Sequence, residues 1–168
     1  MRCSPVALRF RHDPERLVMA SRDSARVTHA EERAVLATVA VNQAIAHLLN
    51  GGSMSDAPAA AVAGIDHEEI RGRVLGAGTR RREDLQAGGF VLETIESAFW
   101  ALATGADARD VIERGVALGE DADSTGAVAG AMAGAAYGAS ALPESWTSRV
   151  QFAEELVSEA GRILALTF

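Results

Sequence analysis

Apolar residues recur at helical spacing along most of the chain, and no stretch keeps the strict alternation that marks a half-buried strand. The spacing predicts helices at 14–22, 28–50, 91–102, 107–118 and, further on, at 123–139 and 147–166. We therefore predict an all-α protein. In two of these helices the predicted inward residues are Leu36, Val39, Ala40, Ala44 and Leu48, and then Val91, Leu92, Ile95, Ala98, Phe99 and Leu102.

Cap signals refine the helix starts. Asp13 and Asp107 each precede a predicted helix and are predicted N-caps, because their side chains can accept from free backbone N–H groups. Thr28 is followed three residues later by Glu31, which is the pattern of a capping box and predicts Thr28 as an N-cap. In the helix that Asp107 opens, Val116 is predicted to face inward.

The connecting segments are short and do not divide the chain. Residues 51–64 are rich in Gly, Ser, Ala and Pro, which predicts a loop with a short helix at 57–63. Another short helix is predicted from Asp66, followed by a loop at 76–89. We predict a single domain over 1–168, because no internal repeat and no linker interrupts the pattern.

The segment 124–142 carries no charge and has glycine at every fourth position, at Gly126, Gly130, Gly134 and Gly138. Each glycine lowers helix stability by about 1 kcal/mol relative to alanine, so another interaction must offset that loss. Close approach of a second helix is one explanation, and space for a ligand or metal at the helix start is another. A membrane-spanning helix is a weaker alternative, because alanine and glycine supply little apolar area.

Composition and charge exclude several classes of function. All 16 basic residues are arginine, which excludes Schiff-base chemistry on a lysine. The net charge of −7 disfavours a general nucleic-acid-binding surface, which needs a basic face. Cys3 is the single cysteine, so no disulfide can form within the chain, and this favours a cytoplasmic location. No apolar stretch typical of a signal peptide precedes Asp13.

The most specific chemical feature is the acidic run before the glycine segment. Asp121, Asp123 and Ser124 offer only oxygen donors, which suit Mg²⁺, Ca²⁺ or Mn²⁺ better than zinc. Taken alone, the spacing leaves a second interpretation open. Asp123 could cap the following helix while Asp121 faces solvent.

Several segments together resemble the ADP-ribosylglycohydrolase family, also called the dinitrogenase-reductase-activating glycohydrolase family. The most specific is 119–138, where the acidic run opens the glycine helix. Residues 88–101 resemble the family's glycine, aromatic and valine segment, which leads into a helix ending in Ala-x-Trp-Ala. Further similar segments are 110–119, the Leu-Pro-Glu-Ser-Trp run at 142–146, Thr28-His29, and 1–5.

This resemblance implies an orthogonal multi-helical fold with two Mg²⁺ (or Mn²⁺) ions in a cleft. It implies hydrolysis of the glycosidic bond between ADP-ribose and a modified protein side chain. Asp121, Asp123 and Ser124 match metal ligands, with Ser124 at a position where the family usually has threonine. His29 matches a residue of the ADP-ribose cleft, and Phe90 an aromatic near the adenine. From the residues alone, a surface position at a helix start is the favoured interpretation of His29, and a core position is an equally good interpretation of Phe90.

The chain also departs from the family pattern. It has neither the Gly-Asp-Ala segment, which a catalytic glutamate follows, nor the Thr-Asp-Asp metal set. We therefore expect the C-terminal half of the domain, with the catalytic residue unknown here and located in the other half. The expected partners are an ADP-ribosylated protein or ADP-ribose and a separate N-terminal half chain, not nucleic acid or a membrane. A non-catalytic ADP-ribose-binding or structural relative and a helical interaction module remain alternatives.

Overall fold

The computed structural model describes residues 1–166. Within this range the chain forms ten α-helices and no β-strand, which confirms the all-α prediction. In chain order the helices are α1 (Ser4–Phe10), α2 (Pro14–Arg26), α3 (Glu32–Leu49), α4 (Ala57–Ala61), α5 (Glu68–Gly76), α6 (Val91–Thr104), α7 (Ala108–Val116), α8 (Ala122–Tyr137), α9 (Glu144–Thr147) and α10 (Ala153–Ala165).

Helices α3 and α6 form the centre of the molecule. Helix α3 packs against α1, α2, α4 and α8, while α6 packs against α5, α7 and α8. Every side chain of α6 from Thr94 to Leu102 is buried, as is Leu92. The inward residues predicted for these two helices are confirmed, except that Val91 is only partly buried. Burial of this apolar surface is the main force that holds the helices together.

Two predicted caps are confirmed and one is wrong. Asp13 accepts from the Arg16 N–H at 3.1 Å, and Asp107 accepts in the same way at the start of α7. Thr28 does not cap α3, because its own N–H and that of the next residue donate to the Ala25 carbonyl and close the end of α2. The N-cap of α3 is instead Glu31.

The C-terminal part departs most from the sequence pattern. One helix was predicted for 147–166, but α9 and α10 are separated at 148–152, where Phe152 adopts a left-handed φ of 59°. Neither helix contains a buried residue. Helix α10 rests on α1, and the Arg9 side chain donates to the Leu166 carbonyl at 2.7 Å.

Close packing of the glycine segment is confined to the start of α8. A Cβ atom on Gly126 would lie 2.8 Å from Cγ2 of Val116 in α7. Val116 itself remains 46% exposed, so its predicted inward position is wrong. A Cβ on Gly134 would meet no atom within 4 Å, so close approach of another helix does not explain this glycine. No helix of the described residues is long and apolar enough to cross a bilayer.

Candidate functional site

The acidic run forms the turn that leads into α8. Gly119 and Glu120 both adopt left-handed backbone angles, with φ of 83° and 50°. For glutamate this conformation costs on the order of 1 kcal/mol. The backbone N–H of Asp121 donates to the Ala87 carbonyl at 2.9 Å, which fixes this turn against the segment before α6.

The carboxylates of this turn have no protein partner. Asp121 is the N-cap of α8, yet its side chain makes no capping hydrogen bond. Asp123 lies in the first turn of the helix and is exposed. Within residues 1–166, no hydrogen bond or ion pair involves the Asp121, Asp123 or Glu120 side chains. The interpretation that Asp123 caps the helix is therefore wrong, and both carboxylates remain available to a ligand.

The donor set fits a hard cation in type and supplies only part of its ligands. Two carboxylates and the Ser124 hydroxyl are oxygen donors. The positive end of the α8 dipole beside them stabilises the ionised carboxylates and opposes, rather than assists, the binding of a cation. The Thr125 hydroxyl, in the same helical turn, is buried without a hydrogen-bond partner in the described part of the chain. No group of three or more His, Cys, Asp or Glu side chains within 1–166 is arranged to hold a metal ion. Mg²⁺ requires six ligands, so water or another chain segment must complete the set.

Two glycines let the segment before α6 approach this turn. A Cβ on Gly88 would lie 2.9 Å from Oε2 of Glu93 and 3.2 Å from Oε2 of Glu120. A Cβ on Gly89 would lie 3.9 Å from Oδ2 of Asp121. Glu120 belongs to the acidic run that the sequence shows, whereas the sequence did not identify Glu93 as a carboxylate near this turn. The Gly-Gly pair before an aromatic residue was the signal, because it permits close approach of another segment.

Phe90 is the N-cap of α6 and is 37% exposed, so the interpretation of Phe90 as a core residue is wrong. The guanidinium of Arg33, from the first turn of α3, lies 5.3 Å from the centre of its ring, within the range of a cation–π interaction. Sequence analysis missed this arginine. Nothing in the local pattern signals it, since α3 and α6 meet only in the folded protein.

Glu31 anchors this arginine. One carboxylate oxygen accepts from Arg33 Nε at 2.8 Å, and the other accepts from the Ala34 N–H at 3.1 Å. The hydrogen bond from Arg33 is the main reason that the pKa of Glu31 is lowered. The same bond raises the pKa of Arg33, and the charge of Glu69 adds to that effect.

His29 lies at a cavity of about 290 Å³. Its Nδ1 atom is 2.9 Å from the Thr28 hydroxyl, and the ring is exposed. Arg2, Cys3 and Thr38 also line this cavity, and none of the lining residues belongs to the acidic turn. The structure therefore brings Phe90 and the acidic turn together, while the contacts of His29 lie with the start of the chain and the end of α2.

A sequence profile described as ADP-ribosylglycohydrolase matches residues 1–167. The chain is 30% identical over 159 residues to the ADP-ribosylarginine hydrolase Tri1 of Pseudomonas putida (strain GB-1), covering 93% of this chain and 42% of that protein. It is 26% identical over 170 residues to the ADP-ribosyl-[dinitrogen reductase] glycohydrolase of Rhodospirillum rubrum, covering 99% of this chain and 55% of that protein.

A solved structure titled "ADP-ribosylglycohydrolase-related protein complex" shares the fold, with a TM-score of 0.88 and 30% sequence identity. The match covers 97% of this chain and 57% of that one. The chain thus spans about half the length of the relatives that it matches. On the sequence profile and the shared fold, this chain is a member of the ADP-ribosylglycohydrolase family.

Proposed function

We propose that this chain takes part in hydrolysis of the glycosidic bond between ADP-ribose and a modified protein side chain. Arginine is the acceptor that we favour, because two relatives from different bacteria are named ADP-ribosylarginine hydrolases. The observation that carries the proposal is the turn at the start of α8. It holds carboxylates that have no partner among residues 1–166, against the segment that leads into the exposed Phe90, in a chain of this family.

Asp121, Asp123 and Ser124 are the residues that would hold a divalent cation, and Mg²⁺ or Mn²⁺ is our proposal. Such a cation supplies Lewis-acid stabilisation and orients the hydroxyl groups and water around the reacting centre. The two carboxylates bring negative charge toward the anomeric carbon, which becomes oxocarbenium-like in the transition state of glycoside hydrolysis. Gly89 places the segment that leads into Phe90 against this turn, since a Cβ on Gly89 would lie 3.9 Å from Oδ2 of Asp121.

Phe90 and His29 would position the nucleotide. Arg33 covers one face of the Phe90 ring, and the exposed part of the ring is available for stacking with adenine. The imidazole of His29 lies in an open cavity and can donate or accept a hydrogen bond to a ribose hydroxyl.

We further propose that residues 1–168 are part of a larger domain, and that a second polypeptide segment completes the site. Residues 1–166 contain no group of three or more His, Cys, Asp or Glu side chains arranged to hold a metal ion, and the chain matches about half the length of each relative. The acidic residue that activates the water would come from that second segment. Groups that act as a unit lose nearly all activity when part of the unit is absent.

The test is release of ADP-ribose from an ADP-ribosylated arginine peptide in the presence of Mg²⁺. This chain is assayed alone, then with the unmatched segment of the Pseudomonas putida relative, added in trans or fused to it. We expect no turnover from the chain alone and metal-dependent turnover from the completed protein. The matched control is the completed protein with Asp121→Ala and Asp123→Ala, which should be inactive.

Two results would contradict the proposal. Metal-dependent turnover by the chain alone, lost in Asp121→Ala, would show that a residue such as Glu120 replaces the expected acid. No turnover in either arrangement, with binding of ADP-ribose retained, would favour a non-catalytic ADP-ribose-binding protein.

A further inference from the structure

Arg33 stands out among the arginines near the candidate site because its position is fixed from two sides. Its Nε donates to Glu31, and its guanidinium plane lies over the ring of Phe90. The side chain nevertheless remains 41% exposed. An arginine that is held in this way loses less conformational entropy when it binds a further group.

The terminal nitrogens of Arg33 are available. Each oxygen of the Glu31 carboxylate already accepts a hydrogen bond, one from Arg33 Nε and the other from the Ala34 N–H at the start of α3. Among residues 1–166, neither Nη1 nor Nη2 of Arg33 has a hydrogen-bond acceptor. Arginine in this state presents N–H donors in a planar fork that matches the oxygens of a phosphate group.

Arg2, at the cavity of His29, differs from Arg33 in this respect. Its Nη2 already donates to the Ser24 carbonyl at 2.7 Å and to the Thr28 hydroxyl at 3.3 Å. That bonding ties the start of the chain to the end of α2. Arg33 is therefore the better placed of the two to meet an anion.

We infer that Arg33 binds a phosphate of the ADP-ribosyl group and selects for a substrate with a charged diphosphate. This inference rests on the proposed function, in which the substrate carries ADP-ribose. With no cation bound, the carboxylates of the acidic turn repel a diphosphate, and Arg33 supplies a fixed positive charge on the Phe90 side that attracts it. Phe90 and the acidic turn are linked through the backbone, because Phe90 follows Gly89, and Gly89 lies against Asp121.

The test compares a ligand that has phosphates with one that lacks them. The full chain, labelled with ¹⁵N, is titrated with ADP-ribose and separately with adenosine, at low and at physiological salt. We expect Arg33→Gln to weaken binding of ADP-ribose by about tenfold, which corresponds to one charge-assisted hydrogen-bonded contact. Binding of adenosine should change by less than about twofold, and Arg33→Lys should fall between Arg33→Gln and the wild type.

Arg109 provides a matched control. It also pairs with a glutamate, Glu113, at 2.7 Å, and it lies over an aromatic ring, Trp146, at 5.8 Å. It sits in the first turn of α7, whereas the acidic turn follows the end of that helix. Arg109→Gln removes the same charge and the same two kinds of contact, and it should leave ADP-ribose binding unchanged.

Three outcomes would overturn the inference. If Arg33→Gln binds ADP-ribose within about twofold of the wild type, Arg33 does not contact the phosphates. If adenosine and ADP-ribose lose affinity equally, Arg33 acts through the ring of Phe90 instead. A wild-type chain that binds neither ligand, both alone and when completed by the second segment, contradicts the proposed function itself, and the inference about Arg33 falls with it.

Discussion

The two ends of α8 carry the same glycine spacing and pack in opposite ways. At the start, Gly126 faces Val116, and Gly115 of α7 brings its backbone so close that an added Cβ would lie 3.2 Å from Cβ of Ala129. At the end, Gly134 lines a cavity of about 200 Å³ between α1, α3 and α8. The start also carries the unpartnered acidic turn, whereas the end continues into helices without buried residues.

The difference shows that a regular glycine spacing does not by itself report close helix packing. Packing is close only where a second helix presents its own small residue, as Gly115 does for α8. There the contact holds the acidic turn at a fixed distance from α7. At the other end Gly138 needs glycine for its left-handed φ of 83°, but no neighbouring atom requires glycine at Gly134. The stability of the helix can therefore be changed at Gly134 without disturbing the candidate site.

The largest expected effect is on metal binding at the start of α8. The double variant Asp121→Ala and Asp123→Ala should weaken binding of Mn²⁺ or Mg²⁺ by more than about tenfold, because it removes both charged donors. Gly134→Ala, in the same helix, should bind the ion like the wild type. Isothermal titration calorimetry on the three proteins makes the comparison. Equal binding by all three would mean that the acidic turn is not the metal site.

The next largest effect concerns the packing of α7 on α8. Gly115→Leu should lower the free energy of unfolding by about 1–3 kcal/mol, because the added side chain has no space against Ala129 and Thr125. Gly134→Leu should cost clearly less, since the side chain enters open space. Urea denaturation of both variants measures the difference. If both lose the same stability, the two ends of α8 are equally tight in solution and the contrast between them is wrong.

A smaller effect is expected from alanine at two α8 glycines. Gly134→Ala should raise the free energy of unfolding by up to about 1 kcal/mol, which is the helix-propensity difference between the two residues. Gly126→Ala should gain less or lose stability, because its Cβ would lie 2.8 Å from Val116 Cγ2. Thermal unfolding of the two variants provides the measurement. An equal gain in both would show that Val116 moves aside freely.

The smallest effect is on the ionisation of Glu31, at the start of α3. The pKa of Glu31 is lowered in the folded protein, chiefly by the hydrogen bond from Arg33. Its contribution to stability is therefore present above the pKa of the unfolded chain and is lost as the pH falls through the lower folded value. In Arg33→Gln the folded pKa should rise toward its ordinary value. Carboxyl chemical shifts followed by NMR measure it, and an unchanged pKa would show that the pair does not persist in solution.

Much of the fold could be predicted because it depends on local periodicity. The apolar positions of α3 and α6 repeat at the helical period, and their burial follows from that pattern. Asp13 and Asp107 act within one turn of their own helices, so their capping role can also be read locally. Thr28 has the same local signal, but its backbone N–H donates to the Ala25 carbonyl and so closes the end of α2. The break between α9 and α10 was missed because no proline or glycine marks it.

The candidate site also has features that the sequence reveals and features that only the folded protein reveals. The sequence alone determined the acidic run, the oxygen-only donors at Asp121, Asp123 and Ser124, and the resemblance to the family. These features depend on residue type and short spacing. Only the tertiary structure decided that Phe90 is exposed and that Arg33 lies on its ring with Glu31 as anchor. The contact between Arg33 and Phe90 joins the starts of α3 and α6 across a long stretch of chain, and its geometry depends on how the helices pack rather than on any local pattern.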